Sequence, residues 1–224
     1  MTTTGIQRTA LTRERVLEGA VELTDEIGIE AFTIRRLATA LDVKPMTIYH
    51  YVPSKEQIID GMIDIVFDQI GLPATDVDWR TSIRGRCVSA RSVLQRHRWA
   101  PPLMESRRAP GPATLRHHDA VLACLRGGGL SLELTAHAYA VIDSYLYGFA
   151  LQEANLPGGG GGEIVELAAS FVTDALADYP ALSEFTTEWV MRPGYHFGDS
   201  FEFGLDLILG GLDRSAKRSN GAGR

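Results

Sequence analysis

Between Asp42 and Ile58 the chain reads DVKPMTIYHYVPSKEQI. Three ring side chains, Tyr49, His50 and Tyr51, stand in a row on what can only be a short element, because Pro45 and Pro53 bracket it. A short helix with aromatics all round cannot bury every one of them in a single small core, so some must face outward. The types there suit polyanion contact. Phenol and imidazole groups can bond phosphate oxygens or pack on sugar edges. Thr47 can contact base edges, and its methyl group can meet a thymine methyl. Lys44 brings a cation to the head of the helix, beside backbone N–H groups that an intrahelical ladder leaves free. Arg35 and Lys55 would hold the flanks. The competing reading is that Tyr49 and Tyr51 pack against neighbouring helices.

Other reactive types are less well arranged. His117, His118 and Asp119 are consecutive, and adjacent residues on a helix point about 100° apart, so they converge poorly on one metal ion. Surface histidines are expected, with no metal site and no cofactor. Cys87 and Cys124 stand alone in separate apolar segments, as buried free thiols would in a reducing compartment. The glycine run 158–162 is followed by Glu163 rather than by a Lys-Ser/Thr pair, so it reads as a loop and not as a phosphate cradle. The arginines of 80–98 are spread around a helix, and snorkelling about an apolar stem explains them as well as nucleic-acid contact does.

The elements that carry these residues read as helices throughout. From Thr12 to Ile27 the apolar positions follow helical spacing, with Thr12 as N-cap and Gly28 as stop. A second helix opens at Thr33, with Leu37, Ala38 and Leu41 inward. Asp42 and Val43 turn the chain, and Pro45 opens the third helix, where Ile48 and Val52 face inward. Ser54 and Gln57 head a fourth helix through a capping box. Beyond Gly71-Leu72-Pro73, longer patterns occupy about 79–99, 112–126, 131–155, 163–178 and 198–213, with a shorter piece near 182–190. No segment alternates as a strand would. The predicted architecture is all-α: a flexible N-terminus 1–10, a helix-turn-helix unit 11–57, a linker helix 58–72, a helical effector and dimerisation domain 73–213, and a disordered tail 214–224.

With 224 residues and 45% hydrophobic content the chain can bury a core without disulfide or metal. No stretch approaches the roughly 20 apolar residues that span a bilayer, so no membrane association is expected. The N-terminus lacks an apolar signal core, so a cytoplasmic location is expected. The net charge is −6, but residues 33–55 hold Arg35, Arg36, Lys44 and Lys55 against Asp42 alone. Local sign decides at a contact screened within about 8–10 Å.

The stretch FTIRRLATALDVKPMTIYHYVPSKEQIIDGM resembles the N-terminal DNA-binding domain of the tetracycline-repressor (TetR) family. It shares the Thr-led second helix at Thr33, the short third helix with a central Tyr, and Lys55 one residue into the next helix. It departs at Asp42, where the family often has Gly, and at Pro45-Met46, which implies a different operator sequence; on the resemblance Thr33, Pro45 and Met46 join the expected DNA contacts. Trp79, His97-Arg98, GGGLSLELTAHAYAVIDSYLYG and FEFGLDLILGGL extend the resemblance to the C-terminal domain of the tetracycline repressors themselves. The resemblance implies a repressor of transcription that binds double-stranded operator DNA as a homodimer and answers to a small molecule; it implies no enzyme activity.

Carried across by local spacing, the drug-pocket positions become Arg86, Ala90, Met104 and Ser144, while Arg108 keeps the pocket arginine. Met104 is no hard-cation ligand, which argues against a magnesium-bearing drug. A partly apolar effector, acidic or carbonyl-bearing, fits Leu103, Met104, Leu122, Tyr139, Tyr147 and Leu151. The resemblance also implies a four-helix subunit interface, with Leu134, Val141 and Tyr145 from one helix and Leu205, Leu209 and Leu212 from the other. Taken alone, those stripes fit an intramolecular core equally well. Two other classes stay open on residues alone, an all-helical enzyme and a binding scaffold, although GxSxG and HExxH are both absent.

Overall fold

The computed structural model describes residues 11–104, 106, 107, 109–171, 176 and 178–222. Among these no strand forms, and eleven α-helices follow one another along the chain. The first four make the reading head: α1 (Arg13–Ile27), α2 (Ile34–Ala40), α3 (Pro45–Tyr51) and α4 (Lys55–Gln69). Their starts are set locally. The Thr12, Thr33 and Ser54 side chains accept from Arg15, Arg36 and Gln57 N–H groups, and Pro45 opens α3 where its missing N–H costs nothing. Asp42 takes a left-handed turn conformation, φ 52°, between α2 and α3. Leu37 and Ala38 are buried and Leu41 is half-buried. Gly61 lets α1 approach α4 closely: a Cβ there would lie 2.6 Å from a methyl of Leu17.

The second body holds α5 (Trp79–Arg96), α6 (Pro101–Met104), α7 (Pro112–Gly127), α8 (Leu132–Asn155), α9 (Gly162–Phe171), α10 (Pro180–Glu184) and α11 (Ser200–Ala222). A wider helical turn, Phe185–Val190, continues α10. Helix α5 stops at Arg96, short of the expected 99, and the residues after it fasten the two bodies together. The His97 ring meets Asp25 of α1 at 2.8 Å and Gln69 of α4 at 3.0 Å, and the Trp99 indole donates to Asp25 at 2.6 Å.

Helix α4 packs on both α1 and α7, so it belongs to both bodies. Three of its carboxylates, spaced four residues apart, engage the first turns of α7 and the segment before it. Asp60 pairs with Arg107 at 3.4 Å, and Asp68 with Arg116 at 2.5 Å. Asp64 accepts from the Thr114 N–H at 2.8 Å and from its hydroxyl at 2.9 Å, capping the start of α7.

Two expectations about the chain ends meet different fates. Residues 214–222, expected to be disordered, continue α11 as helix, with Lys217 reaching back to Asp213 at 2.8 Å. Residues 1–10, expected to be flexible, lie outside the described residues. No helix among those described is long and apolar enough to cross a membrane.

Candidate DNA-reading surface and buried polar cluster

Helix α3 is held by its inward pair: Ile48 and Val52 are both fully buried. That anchors everything opposite. Met46 is 69% exposed, Tyr49 and Tyr51 are 37% exposed each, and Lys44, Pro45 and His50 are exposed. Wheel arithmetic puts Met46 and His50 at the crest, with Thr47 half-buried on one flank. Arg35 is exposed on α2. Two of the expected contact residues already have work inside the protein. The Thr33 hydroxyl caps α2, and the Lys55 ammonium donates to the Phe32 carbonyl at 3.1 Å while lying 5.6 Å from the Phe32 ring centre. Lys55 therefore braces the α1–α2 loop.

The arginines of 80–98 have partners within the protein. Arg80 pairs with Asp213, Arg84 with Glu202 and Asp206, and Arg91 with Glu153; Arg96 reaches Gln69 of α4, and Arg98, just past the end of α5, donates to the Ala154 carbonyl.

The interior of the second body holds an unexpected polar group. Arg86 is 2% exposed, and its guanidinium donates from Nε to His117 Nε2 at 2.8 Å and from Nη1 to Asp143 Oδ1 at 3.0 Å. Burial by itself would lower the Arg86 pKa, but the Asp143 carboxylate beside it raises it instead. His117 is fully buried, a correction to the surface reading of this histidine pair. Phe67 packs on both rings, at 5.4 and 5.3 Å, and the His118 Nδ1 meets the Tyr139 hydroxyl at 2.5 Å. Along α8, Thr135, Tyr139, Asp143 and Tyr147 recur every fourth residue and share this inward face. That spacing was available in the sequence and is the signal by which Thr135 and Asp143 could have been found.

Burial, followed by the nearby Arg86 charge and then His118, lowers the His117 pKa to about 3. Its unfolded value is near 6.5, so below that pH the unfolded chain binds the extra proton. This group's contribution is thus complete above about pH 6.5 and is lost as the pH falls toward 3. We expect a slope approaching about 1.4 kcal/mol per pH unit between those limits, absent in His117→Gln. Urea midpoints measured across the acid range compare the two.

The expected effector residues divide. Arg86, Ala90, Met104 and Tyr147 are buried and Leu103 and Tyr139 half-buried, on inward faces of α5, α6 and α8. Leu122, Ser144 and Leu151 are exposed, the two leucines at 39% and 40%, because they lie on the outer faces of α7 and α8. Arg108 lies outside the described residues. A cavity of about 200 Å³ opens between α4, α7 and α8, lined by Ile63, Met104, Arg107, Thr114, His118 and Tyr139 among others.

The expected interface residues divide too. Val141 is 47% exposed, and Leu134, Tyr145 and Leu212 are half-buried. Leu205 and Leu209, at 0% and 2%, belong to the protomer's own core and cannot form a surface. Helix α11 carries two apolar stripes. The one through Phe201, Leu205 and Leu209 faces inward, and Phe203 and Leu207, at 69% and 62%, face out. Gly204 sits beneath the Tyr145 ring, and that hydroxyl donates to the Phe201 carbonyl at 2.9 Å.

A helix-turn-helix head joined through α4 to a larger helical body defines a DNA-binding regulator with a separate sensory domain. Residues 16–62 match the family described as bacterial regulatory proteins, tetR family, and residues 72–216 match the tetracyclin repressor-like C-terminal domain. The chain is 31% identical over 213 residues to the HTH-type transcriptional repressor DrrR1 of Streptomyces coeruleorubidus, covering 91% of this chain and 77% of that one. It is 27% identical to the tetracycline repressor protein class C of Escherichia coli, covering 94% of each. A possible TetR family transcriptional regulator from Streptomyces coelicolor A3(2) superposes with a TM-score of 0.75 at 30% identity, covering 91% of this chain and 99% of that one. The fold is also that of Streptomyces coelicolor ActR, solved in complex with actinorhodin, with a TM-score of 0.76 at 24% identity and coverage of 93% and 99%. The chain belongs to the TetR family and is a helix-turn-helix transcriptional regulator.

Proposed function

We propose that this protein is a cytoplasmic, homodimeric repressor that reads a palindromic operator through α3 and is released by a small-molecule effector bound in the second body. The observation that carries the reading is the pairing of a fully buried Ile48 and Val52 with an outward Met46, Tyr49, His50 and Tyr51. A helix so held presents its crest to the major groove, while Arg35 and Lys44 meet phosphates. The unburied stripes of α8 and α11, with Val141, Phe203 and Leu207, supply a self-complementary face for a second subunit. Support for an effector comes from the buried cluster around Arg86 and from the fold neighbour ActR, solved with actinorhodin. The effector is expected not to be a magnesium chelate, since Met104 offers only a thioether and Ser144 faces outward.

Selection of bound duplexes from random DNA tests the reading. The expected product is a two-fold symmetric site with half-sites about one helical turn apart, or a multiple of it. Failure to enrich any sequence would count against it. On that site, Lys44→Ala should weaken cognate and random duplexes about equally and reduce the salt slope by about 1. Loss confined to the cognate site would instead make Lys44 a base reader.

A further inference from the structure

Helix α3 carries none of the side chains that read a base through paired hydrogen bonds. Pro45–Tyr51 runs PMTIYHY, without Arg, Lys, Asn, Gln, Asp or Glu. Arg and Lys meet the O6 and N7 of guanine, Asn and Gln the N6 and N7 of adenine, and carboxylates accept from the N4 of cytosine. What α3 offers instead is single hydroxyl groups on Thr47, Tyr49 and Tyr51, one imidazole on His50, and the apolar Met46. Pro45 has no N–H to add.

Position separates these groups. Ile48 and Val52 are fully buried, so the crest lies opposite them, at Met46 and His50 one turn apart. Met46 is the second residue of the helix, and the N-terminal residues of a recognition helix are the ones that reach base edges in the major groove. It is also the most exposed large apolar side chain of the reading head, at 69%. Thr47 is half-buried, and Tyr49 and Tyr51 stand on the flanks. An exposed methionine is ordinary on a protein surface, so its place at the groove end of the crest is what gives it meaning.

A thioether has no hydrogen to donate and accepts only weakly. Laid against a G·C pair, Met46 would strip water from O6, N7 and N4 and return no hydrogen bond. The thymine methyl is the apolar group that the major groove presents, and a methionine covers it without leaving a polar atom unpaired. The unbranched side chain, with its three rotatable bonds, can adjust to where that methyl lies.

We infer that Met46 reads thymine through its C5-methyl group, so that each operator half-site holds a thymine recognised by apolar contact, and G·C is rejected there. This rests on α3 being the helix that enters the groove, and it names the chemistry of the base that α3 selects.

Replacing thymine by uracil deletes that methyl and leaves the hydrogen-bonding groups of the pair in place. Two random duplex libraries, one made with thymine and one with uracil throughout, are selected on the full-length protein. The thymine library should return a fixed thymine in each half-site, and the uracil library should enrich the same site poorly. Single thymines of the selected duplex are then exchanged for uracil. One position should lower affinity about fourfold in one half-site and about fifteenfold in both, as burial of one and of two methyl groups implies. In Met46→Ala, whose side chain is too short to reach, that ratio should fall below about twofold; Met46→Leu, which keeps an apolar tip, should retain it. Equal affinity for thymine and uracil duplexes, a methyl dependence that survives in Met46→Ala, or its loss in Met46→Leu would each overturn the inference. One consensus returned equally from both libraries refutes the methyl reading alone, whereas enrichment from neither refutes the operator reading and this inference with it.

Discussion

Asp143→Leu is expected to destabilise the protein by about 3–5 kcal/mol, which for a domain of ordinary stability leaves a large unfolded fraction. The Arg86 side chain is fully buried and the Asp143 side chain 8% exposed, so the substitution strands a guanidinium in the interior. The paired change Arg86→Met/Asp143→Leu should recover most of the loss, because it removes both charges and fills their volume with apolar groups. His117 Nε2 then loses its donor, so recovery is incomplete. Chemical unfolding of the single variants and the pair closes a double-mutant cycle. If the pair is no more stable than Asp143→Leu, the stranded charge is not what destabilises the single variant.

The second large effect separates the two stripes of α11. Leu209→Arg drives a cation into the protomer's own core and should give unfolded or aggregated protein. Phe203→Arg changes a side chain that is 69% exposed, so the protomer should remain helical with its thermal midpoint little altered. If the outward stripe joins two subunits, Phe203→Arg weakens the dimer by about 2 kcal/mol or more, about thirtyfold in its dissociation constant. Sedimentation at low micromolar concentration reads this directly. A folded, unchanged dimer in Phe203→Arg would place the interface on another surface.

What could be read from the chain follows from how local each signal is. The starts of α1, α2, α3 and α4 are written in Thr12, Thr33, Pro45 and Ser54, and the inward pair Ile48–Val52 in one turn of spacing. Such features involve neighbours only. The choice of face on α7, α8 and α11 is not legible, since each carries apolar residues on more than one side and only tertiary packing decides which side is core. Hence spacing puts Leu205 and Leu209 at an interface and Leu122, Ser144 and Leu151 in a pocket, while the structure buries the first two and exposes the other three. The buried cluster was missed for another reason. Polar residues read as surface one at a time, and Arg86, His117 and Asp143 come from three helices whose meeting no local pattern announces.

The three carboxylates of α4 behave like the teeth of a rack. Asp60, Asp64 and Asp68 recur every four residues, hence about 6 Å apart along the helix. A slide of α4 along α7 by less than that leaves each tooth between partners, with Arg107, the α7 N-terminus and Arg116 all unmatched. The three engagements therefore act as one lock: a displacement of α4 along its own axis has to break all of them together.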